Sequence, residues 1–85
     1  MKMNKKKYIA TFIGNGHFDL ARVVRKIYLT SDKHLNKIEI EELYSDIEQF
    51  YHLEQKYAKV NDISENEKKA IDAIKKLLKK SQGNV

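Results

Sequence analysis

Three histidines, a surplus of carboxylates and one glycine-rich turn are the groups in this sequence with chemistry to offer. His17, His34 and His52 are far apart in the chain, and none stands four residues from another, the spacing that sets two imidazoles together on a helix for a metal ion. No cysteine is present, so thiolate metal sites, disulfides and thiol redox control are excluded. Asp32 to Leu43 has the length of a calcium loop. Its sixth position, where glycine makes the turn, is Lys37, and its twelfth, where a bidentate glutamate is needed, is Leu43. Gly14-Asn15-Gly16 ahead of a helix resembles a phosphate-binding βα turn, but Asp19 stands at the third glycine position, where its charge repels phosphate, and no second strand follows. The same residues read simply as a helix-to-helix turn. Glu41 and Glu48 share a predicted helix, yet acid–base work requires a cleft that shifts pKa values, and a small helical domain rarely encloses one. The expectation is a protein with no catalytic residue, no metal, no cofactor and no small-molecule substrate.

Binding chemistry is better represented. Ala10, Gly14, Leu20 and Val23 have the relative spacing of a helix-turn-helix unit, with Ile9 and Ile13 as inner contacts, Ala10 allowing close helix approach and Gly14 making the turn. In that arrangement residues 6–28 form the unit and His17 to Tyr28 the recognition helix. Arg22 and Arg25 then face DNA bases while Lys5, Lys6 and Lys7 approach phosphates. The pattern is incomplete: Asn15 replaces an apolar turn residue, Phe12 and Phe18 fall at polar positions, and Asp19 opens the groove-facing helix. Arg22, Arg25 and Lys26 also read as the solvated face of a helix packed by its other side. Tyrosine rings of the kind that anchor protein interfaces are plentiful, and Tyr44 and Tyr51 lie on one edge of an apolar stripe. Tyr51 is expected to close the core; Tyr44 is open to either role.

The elements that position these residues are helices. From Lys37 to Lys59, Ile40, Leu43, Ile47, Phe50 and Tyr57 follow the helical period, widened by Tyr44, Tyr51 and Ala58, with Glu41, Glu42, Asp46, Glu48 and Gln55 opposite. Asn36 and Glu39 form a capping box at the start, Leu35 and Ile40 a hydrophobic staple, and Asn61 a stop. Ser64 and Glu67 form a second box ahead of a helix over 65–82, with Ala70, Ile71, Ile74, Leu77 and Leu78 inside and Lys68, Lys69, Lys75, Lys76, Lys79 and Lys80 outside. The short link at 60–64 predicts an antiparallel hairpin. A third helix, from Phe18 or Asp19 to Leu29, buries Leu20, Val23, Val24, Ile27 and Tyr28. Tyr8 to Ile13 fits a short helix, capped by Asn4, or a strand; helix is favoured, because a lone strand needs a partner from another molecule. Residues 1–7, the linker 30–35 and the tail 83–85 read as flexible.

At 85 residues the chain holds one domain, 1–85, which buries only about two thirds of its unfolded surface, so that a homodimer is one route to added stability. The apolar run Tyr8 to Ile13 is too short for a signal peptide or a membrane span, which makes the cytoplasm the expected location. A net charge of +5 hides a sorted pattern: residues 1–30 carry seven Lys/Arg against one Asp, 31–67 four Lys against ten acids, and 68–85 six Lys against one Asp. Either oppositely charged helices lie together and neutralise one another, or the basic ends make a surface for phosphates or an acidic protein.

The reading is an all-α bundle of three to four helices, built on a long antiparallel hairpin of 37–59 with 65–82. Its expected work is that of a small regulatory or inhibitory protein that binds a protein target without catalysis, a build that suits regulators, immunity factors and mobile-element products. The alternative is a DNA-binding helix-turn-helix regulator, and a third reading is a lysine-rich helix on RNA or an anionic membrane surface. The contact residues nominated are Lys5, Lys6, Lys7, Arg22, Arg25, Lys26 and Tyr44.

Overall fold

The computed structural model describes residues 5–31 and 34–83. Among these the chain forms four helices and no strand: α1 Lys5–Gly14, α2 Phe18–Ser31, α3 Lys37–Lys59 and α4 Glu65–Gly83. Tyr8 to Ile13 is therefore helix, and Lys5, Lys6 and Lys7, expected as a flexible lead, are its first turn. Thr30 and Ser31, expected in the linker, complete α2, where the Thr30 hydroxyl donates to the Lys26 carbonyl at 3.0 Å. The expected cap Asn4, linker residues 32–33 and tail residues 84–85 lie outside the described residues.

Helices α1 and α3 end by the same device. At the end of α1, Gly16 takes a left-handed φ of +81°, its N–H donates to the Ile13 carbonyl at 3.0 Å, and the His17 N–H donates back to Phe12 at 2.9 Å. At the end of α3, Asn61 takes φ +57°, its N–H donates to Ala58 at 3.0 Å, and the Asp62 N–H donates to Tyr57 at 2.9 Å. Both are Schellman caps, which use a left-handed residue to satisfy carbonyls orphaned at a helix end. Asn61 is the stop the sequence indicates; in the first turn the left-handed residue is Gly16, and Gly14 remains helical. The starts of α3 and α4 are closed by reciprocal capping boxes. The Asn36 side chain accepts from the Glu39 N–H at 2.8 Å and the Ser64 side chain from the Glu67 N–H at 3.3 Å, while each glutamate accepts from the backbone N–H of its cap.

Helix α2 is the centre of the bundle. Leu20, Ala21, Val23, Val24, Ile27 and Tyr28 are all buried, a face too wide for a single neighbour, and α1 and α3 pack on it. Asp19 meets Tyr57 at one end of the α2–α3 contact and Lys26 meets Asp46 at the other, so these helices run antiparallel. Helix α4 closes the bundle against α1 and contributes Ala70, Ile71, Ile74 and Leu78 to the core.

The long helix is rotated relative to its sequence pattern. Its buried face is Asp46, Ile47, Phe50 and Leu53, with Leu43 and Tyr57 half-buried, whereas Ile40, Tyr44 and Ala58 are exposed. Asp46, expected opposite the core, turns inward because Lys26 of α2 reaches its carboxylate at 3.3 Å and compensates its burial. Tyr51 sits on the boundary, 37% exposed, its ring edge-on to Phe50 at 5.5 Å.

This rotation separates two isoleucines that the sequence pattern treats alike. Ile47→Asp places an unpaired charge in the core and is expected to cost about 3 kcal/mol or more. Ile40→Asp, on the exposed edge, is expected to cost less than about 1 kcal/mol. Chemical denaturation of the two variants checks the pair; equal losses would place the stripe where periodicity alone puts it.

Candidate functional site

The two interhelical turns meet, and polar side chains join them. His17 follows the Gly16 cap, and its carbonyl accepts the Ala21 N–H at 3.0 Å, which opens α2. Its ring is almost wholly buried. Nδ1 contacts Glu67 Oε2, and Nε2 lies 3.1 Å from Asp62 Oδ2. Glu67 is fully buried, and its other oxygen is the acceptor of the α4 capping box at 2.9 Å from the Ser64 N–H. The face of the His17 ring packs on Tyr57 with centroids 4.1 Å apart, and the Tyr57 hydroxyl donates to Asp19 at 2.8 Å. No buried side-chain nitrogen or oxygen among the described residues lacks a partner.

Charge follows from this geometry. A neutral imidazole has one N–H, yet both ring nitrogens face carboxylate oxygens, so His17 is held as the imidazolium, donating to both. Burial works against that charge, but hydrogen bonds to Glu67 and Asp62 outweigh it and keep the His17 pKa above the ordinary 6.5. The hydrogen bond to Asp19, with burial, raises the Tyr57 phenol above its usual value. The histidine is buried between two carboxylates, and its chemistry there is the gain or loss of a proton. Among the described residues no group of three His, Cys, Asp or Glu side chains is arranged to hold a metal ion. Sequence reasoning found the Ser64–Glu67 box but not its third member, His17, which stands 50 residues away.

A second feature lies on the outer edge of α3. Ile40, Tyr44, Tyr51 and Ala58 follow one another at four and seven residues and form a single ridge, with Tyr44 57% exposed. Glu41 and Glu48 flank the ridge on its solvent side, both exposed. Toward α4 it is bounded by Lys75, whose ammonium lies 6.0 Å from the Tyr51 ring centroid and 2.6 Å from Glu54. Between α3 and α4 the ridge leads into a cleft of about 260 Å³ lined by Glu54, Ala58, Ile63, Lys68, Ile71 and Asp72.

The nominated contact residues are all exposed and are carried by three helices, α1, α2 and α3. Lys5, Lys6 and Lys7 open α1, and Lys5 lies over the Tyr28 ring at 5.6 Å, near the C-terminal end of α2. Arg22 and Arg25 stand on the outer side of α2, Lys26 is held by Asp46, and Tyr44 belongs to the α3 ridge. Of the two inner contacts expected for the helix-turn-helix pattern, Ile9 packs against the core and Ile13 does not. Ala10 is exposed, Ile13 is 46% exposed, and Phe12 is the α1 residue that fills the core. Asp19, which in that pattern opens the groove-facing helix, is engaged with Tyr57. Among the described residues no helix is long and apolar enough to cross a membrane.

The two members of the α4 capping box differ in what else they hold. Ser64→Ala loses a helix cap and is expected to cost about 1 kcal/mol. Glu67→Ala also leaves the His17 charge buried beside an empty acceptor, so its cost is expected to reach about 3 kcal/mol or more. Urea titrations of both variants measure the difference. No protein-family model matches the chain, and comparison with curated proteins and with solved structures returned no match to either.

Proposed function

We infer that this is a small non-catalytic protein that regulates or inhibits a protein target by docking it on the α3 ridge. The observation that carries this reading is the exposure of Ile40, Tyr44 and Tyr51 in one line on a helix whose buried face points elsewhere. An ordered row of aromatic and aliphatic side chains, mounted on a rigid element and rimmed by charge, is the composition of an interface centre. Glu41 and Glu48 beside the row favour a partner that carries lysine or arginine next to its own apolar stripe, such as a basic amphipathic helix. Lys75, on the other flank, is already compensated by Glu54.

DNA binding through α2 has weaker support. Arg22 and Arg25 are exposed and the chain is basic, but α2 is packed by α1 and α3, and Lys26 is occupied by Asp46. A positive surface alone gives salt-sensitive, sequence-indifferent binding to nucleic acid.

Affinity capture from the native cell, with and without nuclease, separates the two readings. A protein target is expected to persist after nuclease, to weaken at least about tenfold with Tyr44→Ala, and to weaken again with Glu41→Lys. Tyr44→Ala should leave the unfolding midpoint nearly unchanged, because the ring is 57% exposed. Capture that vanishes with nuclease and depends on Arg22 and Arg25 instead, together with selection of a defined duplex sequence, would establish the DNA reading.

A further inference from the structure

We propose that His17 is a proton-operated latch between the two interhelical turns, closed while both ring nitrogens are protonated and released at Asp62 when Nε2 gives up its proton. Its two carboxylate partners are unequal. Glu67 is fully buried, committed through its other oxygen to the Ser64 N–H, and has no route back to water. The Asp62 side chain is 64% exposed and can turn to solvent. Loss of one proton must therefore favour the tautomer that keeps Nδ1–H on Glu67. The Nε2 lone pair is then aimed at an Asp62 oxygen, and that contact changes from attractive to repulsive.

Every element around the ring takes part. Asp19 on α2, Tyr57 on α3 with Lys56 at 5.5 Å from its ring, Asp62 in the turn and Glu67 on α4 are the charged or titratable groups facing the joint, while α1 supplies the Phe12 carbonyl. Three of them are carboxylates, so the cluster favours the closed, protonated form. Because the folded-state pKa of His17 is raised, the stabilisation is complete below the ordinary histidine value and is lost as pH rises through the higher folded value. What is released is the segment after Asn61. Asn61 and Ile63 line the cleft between α3 and α4, so one wall of that cleft is under the control of the proton. The latch stands independently of what the ridge binds.

The test is nitrogen-15 NMR of the histidine rings together with amide hydrogen exchange, followed upward from about pH 5.5, below the ordinary histidine value, until His17 has titrated. The expected result is that Nδ1 keeps its proton and Nε2 loses it. Protection factors at Asp62 and Ser64, whose N–H groups donate to Tyr57 and Glu67, should fall about tenfold or more in step with His17, while those of Val24 and Phe50 stay level. Asp62→Asn supplies the decisive variant, since an amide can accept from Nε2–H and, once rotated, donate to the bare Nε2. In that variant the step in protection at Ser64 should disappear although His17 still titrates. A neutral His17 carrying its proton on Nε2, level protection at Asp62 through the titration, or an unchanged step in Asp62→Asn would each overturn the latch.

Discussion

Glu67 is a carboxylate with no access to water, and the meeting of the α1–α2 and α3–α4 turns follows from what it requires. Taking an ion out of water costs several kcal/mol even after relaxation, and the cost is offset only if its lone pairs find donors and an opposite charge. One oxygen is satisfied locally by the Ser64 N–H. The other has to be satisfied by something from another part of the chain, and His17 of the α1–α2 turn meets that need. The pair is therefore weak as a source of net stability and strong as a constraint. Apolar packing between helices tolerates a small slide, whereas a buried imidazolium held between two carboxylates tolerates very little. Both turns are placed at the same end of the bundle and in a defined register by it.

The Schellman caps explain how two flexible connections can present side chains with such definition. In each turn the residue after the left-handed position, His17 or Asp62, has its own N–H tied back into the preceding helix. Its side chain leaves from a backbone with little freedom. The two side chains that bond across the joint are thus the equivalent residues of two equivalent caps. The stacking of His17 on Tyr57, the α3 residue whose carbonyl receives the Asp62 N–H, completes the correspondence.

Charge and burial are coupled differently over the rest of the molecule. Lys26 with Asp46 and Lys75 with Glu54 bridge neighbouring helices, and Glu41, Glu42 and Glu48 stay exposed. The exposed charges contribute little to stability, and the charge pattern is a property of the surface. Asp46 is the informative exception. Its turn toward α2 goes with the rotation of α3 that buries Leu53 and leaves Ile40, Tyr44 and Tyr51 as a ridge, from which the proposed docking role follows.

What the sequence determined by itself was everything governed by local rules. The positions of α3 and α4, both capping boxes, the stop at Asn61 and the inner face of α4 depend on residues within four or five positions of one another, and each was legible from spacing and residue type. The all-helical architecture follows from the same signals. Tertiary structure decided the matters in which a residue's environment is supplied from far along the chain. Periodicity identified an apolar stripe on α3 but could not fix its rotation, because the helix carries apolar residues over more than half its circumference and the choice was made by where α2 and Lys26 lie. The capping role of Glu67 could be read locally, but its burial could not, since a capping glutamate is ordinarily solvated. His17 carried no local signal at all: its role exists only because two turns, 50 residues apart at the contact with Glu67, are folded together.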